Sequence, residues 1–403
     1  MKQLILTLSF LLFALNAFSQ WKVFKTGKSG FIHDIFILDS KIAYATGDSL
    51  FLVTSDGGDT WTDMTDKIPV NSPSFTNVFF ITKQTGYLSR SSITGGPTLL
   101  RTISSGFAWD DVSSMQISQG AANVFFSDFI VGYATSGVGL GNGIMARSTD
   151  GGKNWNRVSA PSPEAASALY FLNDSVGFSG VERLVKTNDG GTTWTPAHTY
   201  FDKNNPIVDI VFVSPQIGYA LTYNHNIILK TIDGGDNWAQ YNTGTSGFLS
   251  THLAFADANT GYISSFMFSK PLVTTNGGVN WAVDTTFPAV TSLTCVAAKN
   301  GIVMAGSSDG KIIIRKAGIT GMEKASPATV KVFPNPVASG IINIENPAIN
   351  KLTVVIYDAL GKTVATGRDI TTRMDITLPA AVYYMHVTDE TGNISVSRLA
   401  VQE

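Results

Sequence analysis

An eight-residue phrase recurs through most of this chain, and that recurrence restricts the fold more than any other feature. It reads Ser/Thr-x-Asp-Gly-Gly-x-x-Trp at 54–61 (TSDGGDTW), 148–155 (STDGGKNW), 187–194 (TNDGGTTW) and 231–238 (TIDGGDNW). At 274–281 Asn276 replaces the aspartate; at 102–109 Ser104 does so, while Gly106 and Trp109 are retained. Asp-Gly and Gly-Gly between apolar runs signal a tight hairpin, because glycine accepts the positive φ such a turn needs. The aspartate can accept N–H groups of its own turn, and the tryptophan opens the return strand. The box residues Asp56, Gly58, Trp61, Asp150, Gly152, Trp155, Asp189, Gly191, Trp194, Asp233, Gly235, Trp238, Asn276, Gly278 and Trp281 are therefore read as structural fasteners.

A second marker precedes each box: a β-rich run, a short polar turn, then Gly-Tyr or an equivalent pair. It ends at Tyr44, Tyr87, Tyr133, Phe178, Tyr219, Tyr262 and Ile302, giving intervals of 40 to 46 residues. A period in the forties, with about four short strands per unit, points to β-propeller blades. There are seven such units but six boxes, and the last unit ends where a box and its tryptophan should follow. The seventh tryptophan, Trp21, opens a strand-like run with no box before it. A propeller that does not close leaves unpaired sheet edges. The expectation is a seven-bladed, all-β ring in which the Trp21 strand completes the last blade.

Residues 1–19 read as a secretory signal: Lys2, an apolar run from Leu4 to Phe18, and small residues before the expected cut. That run is too short to span a membrane, and no later stretch is long and apolar enough to do so. Residues 20–318 carry the repeats, 319–328 look like a linker, and 329–403 hold about seven further strand-like runs, consistent with a small Ig-like β-sandwich. Charged residues are 14% of the chain and net charge is −2, which offers no bulk attraction to nucleic acid or anionic membrane. The single cysteine, Cys295, cannot form an internal disulfide and is expected to be a buried, inert thiol.

The Asp-Gly-Trp phrase resembles the Asp-box, or bacterial neuraminidase repeat. Paired with the preceding Gly-Tyr strand, it is most similar to propellers of the photosystem II stability/assembly factor type. That resemblance implies a fold and not an activity, since hydrolases and non-enzymatic receptors share it. The C-terminal region resembles the type A sorting domain of the Bacteroidetes type IX secretion system, through Val-Phe-Pro334-Asn335-Pro336, Tyr-Asp-Ala-Leu-Gly361-Lys362 and Val-Tyr383. The resemblance implies export across both membranes of a Gram-negative bacterium, with residues 329–403 as the partner of the secretion machinery, and residence outside the cell or on its outer surface.

In an up-and-down blade the box turn lies on one face of the disc. The longer insertions, at 91–99, 136–143, 156–165, 196–206 and 244–250, fall on the other, and loops over a fixed scaffold are where function is expected. There His198, Tyr200, Phe201, Asp202 and Lys203, with Tyr223 and His225 on the next turn, form the most site-like group, suited to a protein or glycan ligand. A glycosidase needs two carboxylates about 5–10 Å apart. Asp34 and Asp209, each entering an inner strand near the channel mouth, are the candidates, although aspartate is also common at strand entry. The five histidines show no zinc-like spacing, so neither a metal nor a cofactor is expected. The leading expectation is a non-enzymatic binding propeller; the alternative is a secreted glycoside hydrolase acting on a polysaccharide.

Overall fold

Runs such as Ile-Val-Asp-Ile-Val-Phe and Gly-Tyr-Ala-Leu-Thr are rich in β-branched and aromatic residues and bounded by turn formers, so they pair as strands. In the fifth repeat they become Ile207–Phe212, Gly218–Thr222, Ile227–Thr231 and Ala239–Asn242, one antiparallel four-stranded sheet. The computed structural model describes residues 20–69, 74–90, 99–113, 121–127, 130–136, 145–158, 168–180, 182–199, 202, 205–223, 227–245, 249–316, 331–333, 337, 340–345, 352–357, 363–388 and 394–402. Seven such sheets follow one another through residue 316, and no α-helix occurs among the described residues.

The innermost strand of each sheet neighbours that of the next, and Leu293–Lys299 of blade 7 neighbours Ile32–Ile37 of blade 1, so the ring closes. Blade 7 takes its first three strands from Leu293–Lys299, Ile302–Ser307 and Lys311–Lys316, and its fourth from Lys22–Lys25. Lys22 pairs with Ile314 and Lys25 with Lys311. Trp21 stands where a box tryptophan would: its ring meets Tyr262 of blade 6 edge-on at 5.9 Å and Phe287 at 4.7 Å, and its indole N–H donates to the Thr286 hydroxyl.

The boxes are turns that also bridge blades. In the fourth, the Thr187 hydroxyl donates to Asp189 at 2.8 Å and accepts the Gly191 N–H, while Asp189 accepts the backbone N–H and hydroxyl of Thr193. These donors, led by the Thr193 hydroxyl, hold the Asp189 carboxyl down at about 2. Ser104 in the second box accepts the Ala108 N–H at 2.9 Å, so serine substitutes for the missing aspartate. Trp109, Trp155, Trp238 and Trp281 each donate their ring N–H to the carbonyl of the box glycine three residues earlier.

The Gly-Tyr marker supplies the other half of the bridge. Tyr87 of blade 2 donates to the Gly151 carbonyl in the box of blade 3 at 2.6 Å, Tyr133 to Gly190 at 3.1 Å, and Tyr219 to Gly277 at 3.0 Å. Each ring stacks on an inner-strand phenylalanine of the following blade, as Tyr44 does on Phe80 and Tyr133 on Phe171, and the box tryptophan meets that phenylalanine edge-on. Gly152 shows why the box glycine is needed: its φ is +71°, and a Cβ there would lie 2.6 Å from the Tyr87 ring.

One sequence expectation is shortened. The insertion placed at 156–165 begins later, because Asn156–Val158 is the outer strand of blade 3, paired with Met145–Arg147. Polar Asn-Arg-Val reads as loop, but an outer strand exposes both its faces and has little need of apolar residues. Beyond the ring, Lys331–Phe333, Ile341–Glu345 and Arg373–Asp375 form a three-stranded sheet. Thr363–Ile370, Leu352–Tyr357, Ala381–Thr388 and Ile394–Val401 form a four-stranded one, and residues of both sheets share one apolar core.

Candidate functional site

The inner strands arrange chemically distinct side chains in levels around the central channel. Strand pairing puts Asp34, Asn77, Asn123, Ala168, Asp209, His252 and Cys295 at equivalent positions in blades 1 to 7. This polar collar binds blades to one another. One Asp34 oxygen accepts the Ile35 N–H at 2.8 Å; the other accepts the Val78 N–H and the Asn77 amide of blade 2, both at 2.9 Å. Asn77 in turn accepts the Val124 N–H of blade 3. Asp209 accepts Ile210 N–H at 2.8 Å and Leu253 N–H of blade 6 at 2.7 Å. Cys295 with Thr294 reaches the Ile32 carbonyl.

Burial dominates the electrostatics here. It raises Asp34 to about 6 despite its three donors, and raises Asp209 to about 7, with a small further push from the Asp34 charge. It lowers His252 to about 4 and pushes the Cys295 thiol well up, keeping it neutral and unreactive. Two residues further along the strands, the wall turns aromatic on one side only. Phe36, Phe79, Phe125 and Tyr170 form an arc with successive ring separations of 5.0, 5.7 and 5.2 Å. The equivalent residues of blades 5 to 7 are Val211, Ala254 and Ala297.

On the loop-rich face, His33 Nε2 lies 2.8 Å from Asp48 and its ring stacks on exposed Phe31. Asp48 also accepts the Phe31 N–H and the Ser74 hydroxyl. On blade 6, Phe266, Met267 and Phe268 are all exposed in the turn after Gly261–Ser265. Sequence reasoning missed both groups; three apolar residues in a turn position were the available signal for the second.

Of the predicted ligand-binding residues, Tyr200, Phe201 and His225 lie outside the described residues, as does Lys203. His198 is partly buried, which lowers its pKa. The Asp202 N–H donates to the Glu182 carbonyl, and Tyr223 joins Pro206 and Ser250 through its backbone, so the 196–206 crossing is tied to the turns beside it. Among the described residues no cluster of three His, Cys, Asp or Glu side chains could hold a metal ion. In the C-terminal region Tyr383 is buried and donates to the Pro379 carbonyl at 2.8 Å; Pro334, Asn335, Pro336, Gly361 and Lys362 lie outside the described residues.

Residues 331–402 match the family model described as the secretion system C-terminal sorting domain. They are a type IX secretion sorting domain. The sorting domain makes this chain a propeller exported by that system. No curated protein sequence matches the chain. Solved structures resemble it in fold. YCF48 bound to D1 peptide is 16% identical with a TM-score of 0.60, covering 74% of this chain and 96% of that one. PorZ, an essential surface component of the type IX secretion system of Porphyromonas gingivalis, is 14% identical with a TM-score of 0.56, covering 94% and 60%. A GH74 enzyme of Niastella koreensis is 13% identical with a TM-score of 0.59, covering 94% and 67%. No described helix is long and apolar enough to cross a membrane.

Proposed function

We propose that this is a non-enzymatic binding propeller, carried outside the cell by its sorting domain and engaging a protein or glycan through its loop-rich face. The observation that carries this reading is the state of Asp34 and Asp209. Every oxygen of both carboxylates accepts a backbone N–H, and one from each reaches the neighbouring blade. A glycosidase nucleophile or base turns its carboxylate towards substrate or water; each of these carboxylates instead directs one oxygen to its own strand and the other to the next blade, and so acts as a clasp. Exposed Phe31, Phe266, Met267 and Phe268 supply contact area on the same face. A similar propeller, YCF48, is bound to a peptide, which is consistent with a protein ligand.

Residues 1–19 serve as the signal for inner-membrane export, and the two C-terminal sheets are read as an Ig-like sandwich that the secretion machinery recognises. A glycoside hydrolase is the second reading. It is favoured by the raised pKa of Asp209, a property of general acids, and by the GH74 likeness. The purified propeller, screened against polysaccharides and a glycan array with product detection, separates the two. Binding without turnover supports the proposal, and hydrolysis abolished by Asp209→Asn would replace it with the second reading.

A further inference from the structure

The inner strands face the central lumen with every second side chain. Ile35, Ile37, Val78, Phe80, Ile210 and Phe212 pack in the cores between blades and are buried. Phe36, Phe79, Phe125, Tyr170 and Val211, on the alternate positions, are only half-buried. Strand alternation puts this second set on an open lumen. Two residues beyond the aromatic arc lies a last level: Leu38, Ile81, Ser127, Leu172, Val213 and Ala256 in blades 1 to 6, and Lys299 in blade 7. The box glycines Gly57, Gly151 and Gly190 donate to carbonyls in the turns just after this level, so it opens on the box face and not on the loop-rich one.

Width and charge fall on the same side of that opening. Blades 1 to 4 fill their part of the lumen with the four aromatic rings of the arc, while blades 6 and 7 contribute only Ala254, Ala256 and Ala297. Space is therefore left beside the alanines, along the strand that ends in Lys299. From Cys295 in the collar to Lys299 is four residues, about 13 Å at the rise of a β-strand. Lys299 is the one charged side chain of its level, and it is exposed there. The surrounding protein nonetheless lowers its pKa, with the Asp39 charge opposing that shift. Asp39 itself turns one oxygen to the N–H groups of Lys41 and Ile42. An ammonium partly stripped of water at the rim of an apolar lane gains from an anion brought to it. A mostly apolar wall with one convergent polar group is the make-up of a small-molecule site.

We propose that the lumen is a binding site for a single-chain fatty carboxylate, its tail lying along Ala254, Ala256 and Ala297 against the aromatic arc and its head group on Lys299. This site is separate from the loop-rich face and does not depend on what binds there. Isothermal titration calorimetry of the intact chain tests it with decanoate, the uncharged decanol and the nearly tailless butanoate. Decanoate is expected to saturate at one per chain, decanol to bind more weakly, and butanoate not to bind. Lys299→Gln should weaken decanoate about tenfold, the worth of a charge-assisted bond, and leave decanol unchanged. Ala297→Phe should abolish both by filling the lane, with its Tm reporting that the variant is folded. The proposal is overturned if the parent chain shows no saturable decanoate binding, or if that binding is undiminished by Lys299→Gln or by a folded Ala297→Phe. Should Ala297→Phe not fold, the substitution at exposed Lys299 decides the question alone.

Discussion

Replacing Trp21 with alanine should destabilise the ring by about 3 kcal/mol, although the residue lies at its edge and is only half-buried. A fully buried tryptophan truncated to alanine costs about 3–5 kcal/mol, and partial exposure puts Trp21 at the lower end. Its contacts give a similar figure. Two edge-on aromatic pairs, with Tyr262 and Phe287, contribute about 0.5–1.5 kcal/mol each. The Arg315 guanidinium 5.3 Å over the ring adds about 0.5–1 kcal/mol, and the indole hydrogen bond to Thr286 about 1 kcal/mol. For a domain of about 300 residues that is a fall in Tm of about 5 °C. Thermal unfolding followed by tryptophan fluorescence and calorimetry measures it, with Val23→Ala on the exposed face of the same strand as control. If Trp21→Ala loses no more than the Val23 control, the ring does not depend on this latch and the closure argument fails.

Three further outcomes follow from the seams and the collar. Tyr87→Phe should cost about 1–3 kcal/mol by orphaning the buried Gly151 carbonyl, read from chemical denaturation midpoints; no change would mean the hydroxyl is replaceable by water. Gly152→Ala should cost more than Gly244→Ala, since both have positive φ but only Gly152 faces a ring where the Cβ would sit. Asp209 keeps its proton to about pH 7 when folded and releases it near 3.8 when unfolded, so its contribution is greatest in mild acid and falls as pH rises from about 4 to 7. The Tm of Asp209→Asn relative to wild type should therefore climb across that window. Taking the difference separates Asp209 from His252, whose lowered pKa gives the opposite slope; a flat difference would refute the buried-carboxyl account.

Much of the ring was legible because its determinants are local and repeated. Six boxes, seven Gly-Tyr markers and one stray tryptophan already demand an offset closure, and Lys22–Lys25 pairs with Lys311–Lys316 accordingly. The partner of each marker was not legible. Tyr87 and Gly151 are 64 residues apart, and nothing in the repeat says that a tyrosine serves the box of the following blade and not its own. Asp34 and Asp209 looked like strand-entry residues or acids at a channel mouth. Their shared work is visible only once seven inner strands stand side by side, because the groups they bind, Val78 and Leu253 N–H, are backbone and leave no mark in the sequence.

The tyrosine-to-box contact has a consequence for how the molecule counts. At the seams that carry it, each unit offers its successor the same hydroxyl and presents to its predecessor the same glycine carbonyl. Such joints are interchangeable, and none of them records its place in the series. A chain lengthened or shortened by one whole period of this kind would meet familiar partners at those joints. The number seven is registered where the two ends of the ring meet, in the pairing of Lys22–Lys25 with Lys311–Lys316 and the packing of Leu293–Lys299 beside Ile32–Ile37.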